Sequence, residues 1–282
     1  MATPSFLDPY VETLSQASVL NPRYEAARIA RHVLGLTDET QPLPSNIVLD
    51  AAARDSIAAL VARRAERIPL ERLLGYAMFE GVTIAVVDGI FKPYPETGIM
   101  TEHAVVALEQ REGPQRVLDL GTGTCCILVA LLRALPQASG VGLDTDAACI
   151  ALAQKNAIAN GLQDRASFKR GSWTEGSEEK FDLVIGNMPR VPTADIPRLL
   201  PEMRNHDPHY ALDGGPDGFD VFRFMAQHLP DFVKTGGQGI FQLGWRQAQD
   251  VQRLFLNAGF SPVAIKLTYN AQPCCVQITN SR

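Results

Sequence analysis

The chain has 282 residues, of which 46% are hydrophobic and 20% are charged, a composition typical of one or two globular domains. Its formal net charge of −5 argues against bulk nucleic acid or an anionic membrane surface as a partner. No apolar run reaches the roughly 18 residues that a membrane helix requires, and the first residues do not resemble a secretory signal. We therefore expect a cytoplasmic protein, and the sequence leaves its oligomeric state open.

The cysteine and histidine positions argue against a metal site. The cysteines include two pairs adjacent in sequence, and neither a Cys-x-x-C motif nor a histidine at metal-ligand spacing accompanies them. Adjacent cysteines in an odd total are poorly placed for a disulfide framework, so we expect free thiols and no metal ligands. The cysteines are Cys125, Cys126, Cys149, Cys274 and Cys275.

Residues 1–72 are predicted to form a small helical domain. Asn21 is predicted to cap one helix that begins at Pro22, whose apolar residues recur at helical spacing. A linker over residues 37–46 follows, and Asp50 is predicted to cap the next helix.

The chain from residue 73 onward is rich in predicted strands. Residues 73–94 contain β-branched and aromatic residues typical of a hairpin, which we expect to link the two domains. Within residues 95–282, helices such as 219–233 and 247–256 alternate with strands at 116–120, 138–144, 181–187, 239–243, 263–267 and 274–278. This alternation predicts an α/β domain with a parallel sheet and helices on both faces. The last two strands are too close for a helical crossover, so we expect them to pair antiparallel.

Three turns are predicted to meet at one edge of this sheet, because ligands of open α/β sheets bind beyond the carboxyl ends of the strands. The turns are Asp119–Thr124, Gly142–Asp144 and Gly186–Arg190. Glycines in the first turn allow the backbone to approach a ligand closely. Asp144 is suited to bind ribose hydroxyls, and the amide of Asn187 can both donate and accept hydrogen bonds.

These features favour S-adenosylmethionine over a dinucleotide as the cofactor. A G-x-G-x-x-G motif requires a third glycine at Cys126, so the dinucleotide pattern fails. We expect Gly121 and Gly123 to lie near the methionine portion of the cofactor. Asp119 is expected near its ammonium group and Asp144 at its ribose hydroxyls. The remaining cofactor-binding candidates are Thr97, Thr122, Thr145, Ser172, Trp173 and Asn187. The alternative is a cofactor-free domain that uses the glycines only as turns.

Several motifs of the chain, in this order, are similar to those of one methyltransferase family. They are VLDLGTGTCCILVALL (117–132), GLDTDAACIALAQKNA (142–157), GSWTEG (171–176), FDLVIGNMPR (181–190) and PHYALDGGPDGFDVFR (208–223). From about Leu70 onward the chain resembles the HemK family, which includes the release-factor glutamine N-methyltransferases. The resemblance implies a seven-stranded Rossmann-like methyltransferase sheet, a small helical N-terminal domain and S-adenosylmethionine as cofactor. It also implies that the Asn side chain of the acceptor motif and the following backbone carbonyl accept the hydrogens of a substrate amide.

The acceptor motif departs from the family pattern. Asn187-Met188-Pro189-Arg190 stands where the family has Asn-Pro-Pro-Tyr, and these four residues are our candidate catalytic residues. The Asn role stays available, but Met188 does not fix its own φ as proline does, and Arg190 introduces a permanent cation. The other departures are Cys125 in place of a third glycine, Ser172 in place of an acid before Trp173, and Pro93-Tyr94-Pro95-Glu96-Thr97-Gly98 in place of Pro-Arg-Pro-Glu-Thr-Glu.

The charge of Arg190 bears on the class of acceptor. If its guanidinium faces the site, it favours a carboxylate or phosphate group; alternatively, it turns to solvent or pairs with Glu96 or Asp207. We therefore expect a methyltransferase whose acceptor is a small molecule that carries an anionic group and is methylated at nitrogen. Two alternatives stay open. The first is methylation of a glutamine in a protein, a peptide chain release factor. The second is a catalytically silent protein that binds the cofactor, or a protein that uses the sulfonium for another displacement.

Overall fold

The computed structural model describes residues 5–36, 43–44, 47–175 and 177–281. Most of the predicted linker, residues 37–42 and 45–46, lies outside the described residues. Residues 1–4, which belong to the segment tested for a secretory signal, also lie outside them. The α-helices are α1 (Asp8–Gln16), α2 (Pro22–Val33), α3 (Ala51–Ala65), α4 (Leu70–Leu74), α5 (Pro95–Glu109), α6 (Cys126–Ala134), α7 (Ala147–Ala159), α8 (Pro201–His206), α9 (His209–Leu212), α10 (Asp220–Phe232) and α11 (Ala248–Asn257). Short 3-10 helices cover Ser5–Leu7, Trp173–Glu175 and Thr193–Arg198. The strands are β1 (Tyr76–Phe79), β2 (Val82–Ala85), β3 (Arg116–Leu120), β4 (Ser139–Asp144), β5 (Ala166–Arg170), β6 (Phe181–Gly186), β7 (Val233–Gln242), β8 (Val263–Leu267) and β9 (Pro273–Thr279).

The chain divides into two compact units, of which the first comprises Met1–Tyr76 and Leu200–His206. It is helical, and its buried core includes Leu14 of α1, Ile29 of α2 and Ile57 of α3. The predicted helix that begins at Pro22 is confirmed as α2, but the side chain of Asn21, at its N-cap position, makes no capping hydrogen bond. The predicted cap of α3 is also confirmed, because Asp50 Oδ1 accepts a hydrogen bond of 2.7 Å from the backbone N–H of Ala53.

A cluster of ionic side chains holds the distant Leu200–His206 segment within the first unit. Glu202 of α8 accepts a hydrogen bond of 2.8 Å from Arg64 and one of 2.7 Å from Arg67, and Arg64 also pairs with Glu25 of α2. Burial disfavours the charged carboxylate, but the hydrogen bonds from Arg67 and Arg64 prevail and lower the pKa of Glu202 to about 2. The ionised form of Glu202 therefore stabilises this unit.

The second unit comprises Ala77–Leu199 and Asp207–Arg282 and contains a seven-stranded sheet in the order β5-β4-β3-β6-β7-β9-β8. The five neighbouring strands β5, β4, β3, β6 and β7 pair in parallel, whereas β9 pairs antiparallel with both β7 and β8. The predicted α/β fold class and the predicted antiparallel pair at the chain end are both confirmed. The predicted hairpin within residues 73–94 forms from β1 and β2.

Helices cover both faces of this sheet. Val117 and Leu183 belong to a buried cluster that includes residues of α5, α6 and α7, whereas Leu118 and Val184 belong to a second cluster with residues of α10 and α11. Because neighbouring residues of a strand point to opposite faces, the two clusters lie on opposite sides of the sheet. None of the described helices is long and apolar enough to cross a membrane.

Strand register aligns the three turns that the sequence places at one edge. β3 lies between β4 and β6, and Asp119 of β3 is paired with Gly142 of β4 and Ile185 of β6. All three strands run in the same direction, so their carboxyl ends lie side by side.

Glu202→Gln should lower the free energy of unfolding by about 2 kcal/mol at pH 7, because it weakens the charged hydrogen bonds to two arginines. The folded-state pKa of Glu202 lies below its ordinary value of 4.5, so its stabilisation is complete above pH 4.5 and is lost as the pH falls towards 2. Denaturant unfolding of both proteins at pH 7 and pH 3 measures this, with the exposed Glu66→Gln as the control. An equal difference at both pH values would contradict the ionic origin of the effect.

Candidate active site

A crevice of about 750 Å³, including its opening to solvent, lies at the carboxyl ends of β3, β4 and β6. Most of the predicted site residues line it: Thr97, Gly121, Thr122, Gly123, Asp144, Thr145, Trp173, Asn187, Met188 and Pro189. Three predicted residues do not line it. Asp119 is fully buried, Ser172 shares a hydrogen bond of 2.8 Å with the hydroxyl of Thr174, and Arg190 binds other residues of its own motif.

The turn from β3 to α6 is shaped by residues with positive φ. Gly121 has a φ of +66° and Gly123 a φ of +50°, a region that glycine enters without the clash of a Cβ. Cys125 follows at the N-cap of α6 with a φ of +67°. The left-handed backbone at Cys125 explains in physical terms why glycine suits this position, and a cysteine there carries a conformational cost of about 1 kcal/mol.

Asp119 is a buried carboxylate with one unsatisfied oxygen. Its Oδ2 accepts a hydrogen bond of 2.7 Å from the hydroxyl of Thr122, and among the described residues Oδ1 has no hydrogen-bond partner. Burial raises the pKa of Asp119 to about 7; the hydrogen bond from Thr122 opposes this rise and the charge of Asp144 adds to it. A cationic group bound close to this carboxyl group would favour its ionised form.

Asp144 ends β4, and backbone groups hold its carboxylate. Oδ2 accepts a hydrogen bond of 3.0 Å from the N–H of Gly123, and Oδ1 accepts one of 3.0 Å from the N–H of Asp146. Each carboxylate oxygen retains further acceptor capacity, which suits hydroxyl donors. Trp173 and Tyr210 also line the crevice, and Tyr210 was not among the predicted site residues.

Asn187 follows β6, and a chain of hydrogen bonds fixes its amide. Its Nδ2 donates to Thr97 Oγ1 at 3.0 Å, and the hydroxyl of Thr97 donates to Gln242 Oε1 at 2.8 Å. Thr97 and Gln242 are both buried. Because Nδ2 is engaged in this way, Oδ1 remains the acceptor that Asn187 offers on its other side. Gln242 lies at the end of β7 and was not predicted from the sequence.

Arg190 turns back onto its own motif. Its Nη1 donates to Asn187 Oδ1 and, at 3.2 Å, to the backbone carbonyl of Met188. Desolvation lowers the pKa of Arg190 to about 10, against the charge of Glu96, which raises it, so the guanidinium stays charged at neutral pH. Asn187 Oδ1 and the Met188 carbonyl oxygen thus both bind the same nitrogen, Nη1 of Arg190.

Comparisons with known proteins give consistent matches along the chain. Residues 7–75 match a family model described as PrmC N-terminal domain, and residues 117–206 match one described as methyltransferase domain. A release factor glutamine methyltransferase of Rhodospirillum rubrum is 37% identical over 96% of this chain and 82% of that protein. Proteins of the same name from Agrobacterium fabrum and Geobacter sulfurreducens are 38% and 36% identical, each over 88% of this chain and over 87% and 86% of their own lengths.

The prediction of a small anionic molecule as acceptor and partner is wrong. Relatives that match most of the chain are named for a reaction on a protein, the release factor. The inference depended on Arg190 offering its charge to a ligand; the alternative was that it turns to solvent or pairs with Glu96 or Asp207. Instead its Nη1 binds two oxygens within the motif, and Asp207 accepts a hydrogen bond of 2.6 Å from the hydroxyl of Tyr94.

Asp119→Asn should raise the free energy of unfolding of the ligand-free protein by about 2–4 kcal/mol at pH 8. The pKa of Asp119 rises from 3.8 to about 7 on folding, so the wild-type protein loses stability as the pH increases through that range, and the neutral variant does not. The difference should fall towards zero near pH 4.

Thermal or denaturant unfolding between pH 4 and pH 8 measures this difference. Asp164→Asn, which changes an exposed acid of the same unit, is the matched control. If the variant is less stable than the wild-type protein at pH 8, the prediction is wrong, and contacts within the protein already stabilise the ionised carboxylate of Asp119.

Proposed function

Because the chain belongs to the HemK family of S-adenosylmethionine-dependent methyltransferases, we propose that it methylates the side-chain nitrogen of a glutamine in a peptide chain release factor. One observation carries the proposal for the acceptor. Asn187 Oδ1 and the carbonyl oxygen of Met188 converge on a single nitrogen, at present Nη1 of Arg190. A primary amide carries two N–H bonds on one nitrogen, so it matches this pair of acceptors.

The crevice fits S-adenosylmethionine, whose sulfonium supplies an activated methyl group when bound. The buried carboxyl of Asp119, with its unsatisfied oxygen, suits a cationic cofactor. We assign Asp144 to the ribose hydroxyls and the backbone around Gly121 and Gly123 to the methionine portion. Trp173 is assigned to the adenine. The remaining proposed cofactor contacts come from Thr97, Thr122, Thr145 and Asn187, whereas Ser172, which does not line the crevice, is no longer proposed as one.

The acceptor residues act by orientation. An amide nitrogen is a poor nucleophile because its lone pair is delocalised, so placing it in line with the methyl carbon supplies much of the acceleration. Asn187 Oδ1 and the Met188 carbonyl accept both amide hydrogens and so fix the plane of the glutamine amide. Thr97 and Gln242 hold Asn187 in the orientation that this requires. Pro189 and Arg190 complete the proposed acceptor motif.

We also propose a division of labour along the chain. Residues 1–72 form a substrate-side helical domain, residues 73–94 link it to the rest, and residues 95–282 form the catalytic domain. We place the protein in the cytoplasm, where its five buried, free cysteines remain reduced.

Methylation of a release factor tests the proposal. The purified protein, incubated with methyl-labelled S-adenosylmethionine and a release factor from the same organism, should transfer one methyl group to a glutamine, located by peptide mass spectrometry. Asn187→Ala should lower turnover about 100-fold or more, because the amide loses one of its two positioning acceptors. Thr97→Val should cause a smaller loss, because Asn187 is then free to rotate.

Asn257→Ala, an exposed asparagine in the same unit, is the matched control and should retain full turnover. The proposal is wrong if the folded wild-type protein binds the cofactor and transfers no label to the release factor.

Asp144→Ala should weaken S-adenosylmethionine binding by about 10- to 100-fold, because a charge-assisted hydrogen bond is worth roughly 1.5–3 kcal/mol. Titration calorimetry measures the dissociation constant, with the exposed Asp164→Ala as the control. Asn187→Ala should bind the cofactor almost as tightly as the wild-type protein. Unchanged affinity of Asp144→Ala would remove this residue from the ribose site.

A further inference from the structure

The acceptor position in the ligand-free protein is taken by one of its own side chains. Nη1 of Arg190 donates to Asn187 Oδ1 and to the carbonyl oxygen of Met188. These are the oxygens assigned above to the two hydrogens of the substrate amide. A second nitrogen cannot lie at the position where the two oxygens converge while Nη1 of Arg190 occupies it.

The backbone of Arg190 is held on two sides. Its N–H donates to the carbonyl of Leu212 at 3.2 Å, and its own carbonyl accepts a hydrogen bond of 3.0 Å from Nε2 of Gln247. Gly214 packs so closely that an added Cβ would lie 2.6 Å from the Cα of Arg190. Release of the two acceptor oxygens is therefore a rotation of the Arg190 side chain about a fixed backbone.

We propose that the guanidinium of Arg190 occupies the acceptor position, must be displaced by the glutamine amide, and thereby sets the affinity that a substrate needs in order to bind. This inference rests on the proposed function and names the kind of substrate that the site accepts. A competitor within the site lowers the apparent affinity of every ligand for that position by the fraction of time in which the position is free. Every glutamine substrate pays the same penalty, and an amide that brings only its own hydrogen bonds has no other contacts to offset it.

A protein substrate has a further source of binding free energy. Contacts elsewhere on its surface add to the binding of the amide and offset the displacement of Arg190. Free glutamine and short peptides lack such contacts. Displacement of Arg190 therefore costs both substrates the same free energy, but the glutamine presented by a folded protein still binds at concentrations at which the same amide presented alone does not.

An acidic side chain close to Arg190 can receive the displaced cation. Glu96 lies in the first turn of α5, is exposed, and its charge acts on Arg190. Its position next to Thr97 in sequence keeps it at the crevice, because Thr97 lines the crevice and binds Asn187. A rotation of the guanidinium towards Glu96 would replace two neutral oxygens by a carboxylate, which would limit the cost of releasing them.

The test uses two variants of Arg190 and a minimal amide. Arg190→Met keeps most of the side-chain length and removes every hydrogen-bond donor, whereas Arg190→Ala also removes the bulk. The probe is N-acetylglutamine methylamide, titrated by calorimetry into the full-length protein saturated with S-adenosylhomocysteine. Both variants should bind the probe at least 10-fold more tightly than the wild-type protein, since charged hydrogen bonds no longer compete for the two oxygens.

Kinetic constants provide a second measurement. With the release factor as substrate, KM should fall in both variants by about the same factor as the dissociation constant of the minimal amide, because either ligand displaces the same guanidinium. Arg198→Gln, which removes an exposed arginine of the same unit, should leave both affinities unchanged. Thermal unfolding and S-adenosylhomocysteine affinity establish that each variant is folded.

The possible failures can be told apart. If the wild-type protein methylates the release factor but neither folded variant binds the amide more tightly, Arg190 does not occupy the acceptor position in solution and the inference is overturned. Weaker binding of the amide by both variants overturns it as well, because Arg190 then assists the substrate. If no protein methylates the release factor but both variants gain affinity for the amide, the proposed function fails and occupancy by Arg190 stands.

Discussion

Parallel pairing of β3 with β4 on one side and β6 on the other is the constraint on which the whole site depends. It sets Asp119, Gly142 and Ile185 in one row across the sheet, so that the residues that follow them meet in one crevice. A shift of one residue in either pairing would turn each strand's side chains to the opposite face. The buried clusters on both faces oppose such a shift and thereby hold the site in register.

Two groups at this crevice are buried in surroundings that disfavour their charged forms. Asp119 is buried with a raised pKa, and Arg190 is desolvated with a lowered pKa. A cation beside the carboxyl group would favour the ionised form of Asp119, whereas an amide at the acceptor position would displace the guanidinium of Arg190 from its two oxygens. Stability given up at such positions is typical of residues retained for binding.

Sequence patterns predicted the strands better than they predicted the contacts between side chains. β3 and β6 are short apolar runs buried on both faces, and their predicted bounds match to within one residue. β5 was missed because it is a short strand at the sheet edge with exposed basic residues and no apolar run. Helix α5, which carries Thr97, was also missed, because its apolar residues are not confined to one face.

The Asn187–Thr97–Gln242 chain joins residues up to 145 positions apart, so only the tertiary structure brings them together. Arg190 shows a second limit: its charge was taken as information about a ligand, whereas its partners lie two and three residues away in the same motif.

A crystal structure with S-adenosylhomocysteine and a glutamine amide tests the central claim most directly. We expect the ribose hydroxyls on Asp144, the amide nitrogen between Asn187 Oδ1 and the Met188 carbonyl, and Arg190 displaced. A cofactor bound away from Asp144, or an amide bound elsewhere while Arg190 keeps its two oxygens, would contradict it.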